Sequence, residues 1–226
     1  MLTSPYWRMY VVGFAVTIVV DLLRAKRYEM SYRKTLLLAG TVSVLGFVCA
    51  RMMYFFLHLN DILANGASAS GMSFFGVVLS IPLIAVCLSH FFGLKPNTLS
   101  SFCAPPALFL LASVRIGCFF SGCCGGALIL SGKIIPMPTQ IIEAAGDITI
   151  AVFLLYAEER GNRETLYPLL LIEYGILRFL LEFLRFNPRI VGVFTCEHFL
   201  SLLCVLVGVI WAFYCPRRRK NEKYKE

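Results

Sequence analysis

Apolar residues in this chain occur in seven long runs, which short connectors rich in Gly, Pro, Asn and Ser separate. Most runs have the length of about 17 to 25 residues that a helix needs to cross a bilayer. The runs cover residues 9–23, 36–59, 72–92, 102–120, 141–156, 166–184 and 196–214. The first and fifth are short, so the pattern predicts seven transmembrane helices, with six as the alternative. The predicted fold class is an all-α, polytopic integral membrane helical bundle.

The composition excludes an ordinary soluble domain. Hydrophobic residues make up 58% of the 226 residues and charged residues 15%, whereas soluble domains are roughly 45–50% apolar and roughly 25% charged. The mean hydropathy is +0.76. The connectors are too short to hold a soluble domain, and the sequence has no evident internal repeat. We therefore expect one transmembrane domain over residues 1–215 and a basic tail at residues 216–226.

Lysine and arginine are unevenly distributed between the two ends of the predicted helices. With seven spans, one side of the bundle carries fourteen of them and the opposite side carries four. Because cationic loops are retained in the cytoplasm, we expect the amino terminus outside and the carboxyl terminus inside. Most of the net charge of +8 then faces anionic lipid headgroups, and nucleic acid is not an expected partner.

Three arginines lie inside predicted spans, where each costs roughly 2.5 to 3.5 kcal/mol at a helix centre. They are Arg51, Arg115 and Arg178. In the predicted topology, all three lie in the extracytoplasmic halves of their helices. An intramembrane charge indicates a functional site, here one near the outer headgroups. A transporter would instead place its polar residues at the midplane, between two repeated halves.

The sixth predicted helix carries a polar stripe, because four of its residues are spaced by four, four and three positions. They are Tyr174, Arg178, Glu182 and Arg185. One interpretation is an ion pair that neutralises itself so that the helix can insert. The other is that Glu182 orients Arg178, whose remaining donors bind a phosphate bidentately. The additional cation Arg115 favours the second interpretation, because one carboxylate does not neutralise two arginines.

A glycine-rich segment begins at an intramembrane arginine, Arg115, near the end of the fourth run. It ends at Gly126 and contains four glycines. Glycine allows backbone amides to approach an anion closely, and successive amides in a tight turn form an anion-binding nest. At headgroup depth, this combination indicates a site that binds a phospholipid phosphate.

The chain resembles the prolipoprotein diacylglyceryl transferase family. The family signature Gly-Arg-x-Gly-Asn-Phe-x-Asn-x-Glu-x-x-Gly is similar to Val114-Arg-Ile-Gly-Cys-Phe-Phe-Ser-Gly-Cys-Cys-Gly-Gly126. The family's His-Pro-x-Gln-x-x-Glu corresponds to Met137-Pro-Thr-Gln-Ile-Ile-Glu143. Its Tyr-Gly-x-x-Arg-x-x-x-Glu-x-x-Arg is present intact as Tyr174-Gly-Ile-Leu-Arg-Phe-Leu-Leu-Glu-Phe-Leu-Arg185. Further likeness covers residues 46–54 and 71–76.

Several family residues are replaced in this chain. Phe75 stands where the family has a histidine, and Met137 replaces the histidine before Pro138. His198 replaces a family glutamine near the start of the seventh helix. The two asparagines and the glutamate of the signature correspond to Cys118, Ser121 and Cys123.

The resemblance implies a reaction in which diacylglyceryl moves from phosphatidylglycerol to the thiol of a lipobox cysteine in a preprolipoprotein. It also implies a bacterial plasma membrane location, with the site on the extracytoplasmic side. Arg115 and Arg178 would hold the phosphate, Glu182 would position Arg178, and His198 is the candidate base in place of Phe75. The expected substrate-binding residues are Arg51, Cys118, Ser121, Gly122, Gly126, Gln140, Glu143, Tyr174 and Arg185. We expect no cofactor and no metal.

Two alternatives to the transferase function stay open, and the first of them comes from a pair of adjacent cysteines. Cys123 and Cys124 are adjacent, and Cys118 and Cys196 also lie at predicted helix ends. In an oxidising compartment these cysteines would form a thiol relay or a structural disulfide. They lack the Cys-x-x-Cys spacing of redox motifs, and no histidine pattern nearby indicates zinc. The other alternative is a non-catalytic paralogue that binds phospholipid or a lipoprotein signal.

Overall fold

The computed structural model describes residues 5–59, 62–63, 71–130, 133–185 and 189–223. This part of the chain contains seven long α-helices, one for each predicted apolar run. They are α1 (Pro5–Ala25), α2 (Tyr32–Leu57), α3 (Phe74–Phe92), α4 (Pro96–Phe120), α5 (Thr139–Glu159), α6 (Leu166–Glu182) and α7 (Cys196–Lys223). A short 3-10 turn at Lys26–Tyr28 joins α1 to α2. The last helix continues past residue 215 into the predicted tail.

Five of these helices are long and apolar enough to cross a membrane, namely α2, α3, α4, α5 and α7. The helix α6 has only 17 residues and carries Glu173, Arg178 and Glu182 in its sequence. Large apolar side chains such as Leu83, Phe91 and Phe213 are exposed, while Glu143 and Arg178 are buried. This distribution suits a lipid environment, where apolar groups face outward and charges face the protein interior. The predicted all-α, polytopic membrane class is confirmed, and the number of spans and their orientation stay predictions.

The chain divides into two compact units. One comprises residues 18–100, and the other comprises residues 1–17 with 101–226. In the first unit α2 packs closely on α3 at Gly76, because a Cβ atom there would overlap with the carbonyl oxygen of Cys49. Phe75 and Val78 are buried in this unit. Small residues at helix contacts permit this close packing inside membranes.

In the second unit the tightest helix pair is α6 with α7. A Cβ atom on Gly175 would lie 2.8 Å from the carbonyl oxygen of Ser201, and one on Gly208 would lie 2.9 Å from that of Pro168. The beginning of α1 packs on α4 in the same way, where Gly13 faces Ser113. These contacts leave no room for side chains, so the glycines set the helix spacing.

Two short antiparallel hairpins join the helices of this unit, and the sequence pattern did not predict them. Strands β1 (Gly126–Leu130) and β2 (Lys133–Met137) connect α4 to α5. Strands β3 (Arg189–Val191) and β4 (Phe194–Thr195) connect α6 to α7. The first hairpin is attached to the end of α6, because the amide of Ala127 donates to the carbonyl oxygen of Leu184 at 2.8 Å. The two hairpins therefore bring the ends of α4, α5, α6 and α7 together.

Candidate active site

One carboxylate, that of Glu143 on α5, contacts three arginines. Its oxygens lie 3.0 Å from Nε of Arg115 on α4, 2.9 Å from Nη2 of Arg185 after α6, and 3.9 Å from Nη1 of Arg178 on α6. The Glu143 side chain is 0% exposed, and those of the arginines are 12%, 10% and 4% exposed, respectively. The sequence analysis predicted Glu143 as one of several substrate-binding residues, and the structure places it at the centre of the cationic cluster.

Glu182 provides a second carboxylate on the other side of Arg178. It lies 3.3 Å from Nη2 of Arg178 and accepts a hydrogen bond of 3.0 Å from the Thr195 hydroxyl. The ion pair joins successive turns of α6, as the spacing of four residues requires. Arg178 is therefore clamped between two carboxylates from two helices.

The charges of this cluster do not balance. Three guanidinium groups and two glutamates leave one net positive charge among these five side chains, in an interior where Coulomb interactions are weakly screened. Each guanidinium also has five N–H donors in a rigid fork. Nε of Arg185, for example, has no hydrogen-bond partner among the described residues. The cluster therefore has both the charge and the donors to bind an oxyanion.

Asp147 is a further buried acid that the sequence analysis missed. It lies one turn along α5 from Glu143 and is 0% exposed. Neither carboxyl oxygen has a hydrogen-bond partner in the described part of the chain. The signal that would have found it is an aspartate inside the fifth apolar run, because an acid within a span costs free energy as an arginine does.

Tyr174 and Gln140 lie beside the cluster. Tyr174 is fully buried, within electrostatic range of Arg178 and Glu143. Gln140 donates from Nε2 to the carbonyl oxygen of Cys123 at 2.6 Å, and Thr139 donates from its hydroxyl to that of Cys124 at 3.3 Å. The start of α5 thus holds the backbone of the glycine-rich turn.

The predicted glycines of that turn have different surroundings. Gly122 is exposed, beside exposed Ser121, and has a φ of 68°, in the left-handed region that favours glycine. Gly126 begins β1, and a Cβ atom there would overlap with the carbonyl oxygen of Leu184. Gly126 therefore permits a close backbone approach between the turn and the end of α6.

His198 caps the start of α7. Its Nδ1 accepts a hydrogen bond of 3.1 Å from the backbone amide of Thr195, the residue that precedes the helix. This is the geometry of a capping box, with histidine in the third helical position in place of Glu or Gln. The ring is 1% exposed. It packs against the rings of Phe179, Phe183 and Phe194.

Arg51 belongs to the unit of residues 18–100. Its Nη1 donates to the carbonyl oxygen of Gly71 at 3.3 Å, and its side chain is half-buried. Phe75 of the same unit is 1% exposed. This arginine therefore stabilises the chain segment that leads into α3.

Three cysteines converge at the end of α4. The sulfur atoms of Cys118, Cys123 and Cys124 all lie within 4.8 Å of one another, and all three are free thiols. Cys196 is also a free thiol, but it does not belong to this group. A hydrogen bond from the Cys118 thiol and the nearby Arg115 charge lower the pKa of Cys124 to about 5. Burial raises the pKa of Cys123.

Comparison with known proteins gives one consistent result. A family model described as prolipoprotein diacylglyceryl transferase matches residues 4–214. The chain belongs to the prolipoprotein diacylglyceryl transferase family. A phosphatidylglycerol–prolipoprotein diacylglyceryl transferase of Clostridium tetani is 25% identical over 96% of this chain and 94% of its own length. One from Erwinia tasmaniensis is 25% identical over 98% of this chain and 91% of its own length. The second such enzyme of Clostridium perfringens is 35% identical, over 42% of this chain and 43% of its own length.

The motifs through which this chain resembles the prolipoprotein diacylglyceryl transferase family meet in space. The arginine of the glycine-rich signature, Arg115, and the last glutamate of the second motif, Glu143, are in contact. Arg178 and Arg185 of the third motif reach the same carboxylate. Three segments that are distant in sequence therefore form one buried charge cluster.

The departures from the transferase signature also meet in space. Cys118 and Cys123, which stand where the family has an asparagine and a glutamate, belong to the group of three thiols. Arg115 interacts electrostatically with Cys118 and Cys124. The replaced positions thus form a sulfur cluster directly beside the arginine cluster.

Proposed function

We propose that this chain transfers the diacylglyceryl group of phosphatidylglycerol to a cysteine thiol of a prolipoprotein. In this reaction a carbon–sulfur bond forms at the glyceryl carbon, the carbon–oxygen bond to phosphate breaks, and glycerol phosphate leaves with the electron pair. The observation that carries the proposal is the convergence of Arg115, Arg178 and Arg185 on Glu143. Family membership and the names of the curated relatives supply the substrates.

The arginine cluster would bind the phosphate and stabilise the charge that develops on it. As the carbon–oxygen bond breaks, the phosphate gains negative charge, and preorganised donors aimed at that oxygen lower the barrier. Arginine suits this role because its fork binds two phosphate oxygens at once. Glu143 holds the three guanidinium groups in place before the substrate arrives. Tyr174 lies beside them as a further hydrogen-bond donor.

Glu182, Thr195 and His198 would act as positioning residues behind Arg178. The Thr195 hydroxyl donates to Glu182, and Glu182 contacts Arg178. His198 was our candidate base, but Nδ1 already accepts the Thr195 amide and the neutral ring then carries its proton on Nε2. Neither nitrogen offers a free lone pair to a substrate thiol. The geometry therefore favours a capping role for His198.

The remaining substrate contacts and the cellular placement are part of the same proposal. Ser121 and Gly122 on the exposed turn would meet the headgroup, and Gln140 and Gly126 would hold that turn. The excess of Lys and Arg on one side supports an orientation with the site extracytoplasmic in the bacterial plasma membrane. The acceptor would be a lipobox cysteine, and residues 216–226 would form a basic cytoplasmic tail.

The proposal is tested in cells depleted of their own transferase. The chain is expressed there with a tagged prolipoprotein, and the mass of the prolipoprotein is measured. A gain of one diacylglyceryl group is expected, and its loss on Arg178→Ala is expected too. An unchanged mass with intact expression contradicts the proposal. If the purified chain then still binds phosphatidylglycerol vesicles, a non-catalytic lipid-binding paralogue explains it.

A further inference from the structure

The three-thiol cluster has the dimensions of a metal site. Zinc binds thiolates at about 2.3 Å, so in tetrahedral geometry three bound sulfurs lie about 3.8 Å apart. The sulfurs of Cys118, Cys123 and Cys124 lie within 4.8 Å of one another. A small adjustment of side-chain rotamers therefore closes the cluster around one ion.

The backbone of the cluster is held from several sides. The amide of Cys123 donates to the carbonyl oxygen of Cys118 at 3.1 Å. Gln140 and Thr139 hold the carbonyl oxygens of Cys123 and Cys124. Cys124 has a φ of 61°, which is costly for a residue other than glycine and is a feature of functional sites. The turn therefore presents its thiols from a fixed and strained backbone.

The charges around the cluster favour thiolates. Three thiolates and a divalent zinc ion carry one net negative charge. The adjacent Arg115, Arg178, Arg185, Glu143 and Glu182 carry one net positive charge, and Arg115 interacts with the cysteines directly. The ion, the three thiolates and these five side chains together therefore carry no net charge, which lowers the cost of holding them in a weakly screened environment.

We propose that Cys118, Cys123 and Cys124 bind one zinc ion whose fourth position is open to the acceptor thiol. Cys118 is buried, whereas Cys123 and Cys124 are exposed, so an acceptor thiol would reach the cluster from the side of Cys123 and Cys124. Three protein ligands with one open position are the arrangement of catalytic zinc sites. This inference rests on the proposed transferase function, because it assigns the activation of that reaction's nucleophile.

The chemical step balances without an oxidant or a general base in the protein. The acceptor thiol replaces a zinc-bound water and its proton passes to solvent, because a coordinating thiol is deprotonated outright. The sulfur then attacks the glyceryl carbon, the carbon–oxygen bond breaks, and the phosphate takes the electron pair beside the arginines. Zinc remains divalent throughout. The ion would thus promote ionisation of the acceptor thiol, which neither Phe75 nor the engaged nitrogens of His198 can do.

Metal content is the first test. The full-length chain is purified in detergent, exchanged with zinc chloride and freed of excess ion, and its zinc is measured. About one zinc per chain is expected, and Cys118→Ser, Cys123→Ser and Cys124→Ser each lose it. Cys196→Ser and Cys87→Ser are the matched controls and keep it. Retention of helical content by circular dichroism confirms that each variant is folded.

Cobalt substitution tests the open position. Bound Co²⁺ is expected to show sulfur-to-cobalt charge transfer, and its visible spectrum changes when a peptide with one cysteine is added. The same peptide with serine leaves the spectrum unchanged. A metal-free chain with a Cys123–Cys124 disulfide, seen by mass spectrometry, overturns the proposal in favour of a structural or redox pair.

The pH dependence of transfer separates this inference from the proposed function. A free thiol with a pKa of about 8.5 is about 3% ionised at pH 7. Loss of zinc activation is therefore expected to lower the transfer rate about 30-fold at pH 7 and to change it little near pH 9. The wild-type rate is expected to vary little over this range, and the Cys124→Ser rate to rise with pH. Transfer that is unchanged in the cysteine variants refutes zinc activation but leaves the transferase function. Zinc binding without any transfer refutes the function instead.

Discussion

Glu143 and Arg185 lie 42 residues apart in sequence, and the Arg185 guanidinium donates to the Glu143 carboxylate at 2.9 Å. This bond closes a loop that runs through α5 and α6. Arg115 and Arg178 reach the same carboxylate from two other directions. The cluster therefore depends on Glu143 more than on any one arginine.

Replacing Glu143 by Gln is expected to destabilise the fold and to abolish transfer. The change keeps the volume but leaves three buried guanidinium groups short of one carboxylate, and breaking a buried pair costs about 3–5 kcal/mol. The measurement is thermal unfolding in detergent together with the transfer rate. Asp147→Asn is the matched control one turn away. It is expected to lower the free energy of unfolding by less than about 1 kcal/mol, because the carboxyl oxygens of Asp147 have no hydrogen-bond partner among the described residues. Equal losses in the two variants would contradict the central role of Glu143.

Arg178→Lys is expected to reduce the transfer rate about 10²-fold while the protein stays folded. Lysine keeps the positive charge between Glu143 and Glu182 but loses the planar fork that binds two phosphate oxygens. Initial rates with phosphatidylglycerol vesicles give the effect. The control is Arg8→Lys, because Arg8 is exposed on α1. A rate within twofold of wild type would show that bidentate binding is not needed at this position.

His198→Gln is expected to retain most of the activity, whereas His198→Ala loses stability of about 1 kcal/mol and transfers more slowly. Glutamine in the third helical position also accepts the Thr195 amide in a capping box, but it does not act as a base. Transfer rates and unfolding temperatures of the two variants are compared. If both variants lose activity equally while both stay folded, the histidine acts as a base after all.

Gly126→Ala is expected to damage the site from a distance. The added methyl group overlaps with the carbonyl oxygen of Leu184, and the end of α6 must move away. A loss of about 1–3 kcal/mol is expected from this overpacking, with slower transfer, measured by unfolding and by initial rates. Gly40→Ala is the control, since no atom lies within 4 Å of that Cβ position. An unaltered rate in Gly126→Ala would mean that this contact does not position Arg185.

The sequence was most informative where a contact lies within one helix. The spacing of Tyr174, Arg178 and Glu182 predicted a shared stripe, and the structure has Arg178 and Glu182 in contact. Apolar run lengths predicted the seven helices for the same reason, because both patterns reflect the local geometry of the chain.

Contacts between elements were beyond the sequence pattern. Glu143 was predicted only as one of several substrate-binding residues, because spacing along α5 does not reveal that α4 and the end of α6 face it. The three thiols were adjacent in one motif, but their convergence depends on the turn before β1, whose short strands carry little signal. Asp147 lies in the fifth apolar run but outside the motifs that carry the family resemblance, so neither the motifs nor the search for buried arginines pointed to it.

The backbone bond between Ala127 and Leu184 links the two halves of the site. On one side of it are the turn with the three cysteines, and on the other is Arg185. Both sides are already held before a substrate binds, Arg185 by Glu143 and the cysteine turn by Gln140 and Thr139. The spacing between the phosphate site and the thiols is therefore set by the folded backbone and not by the substrates.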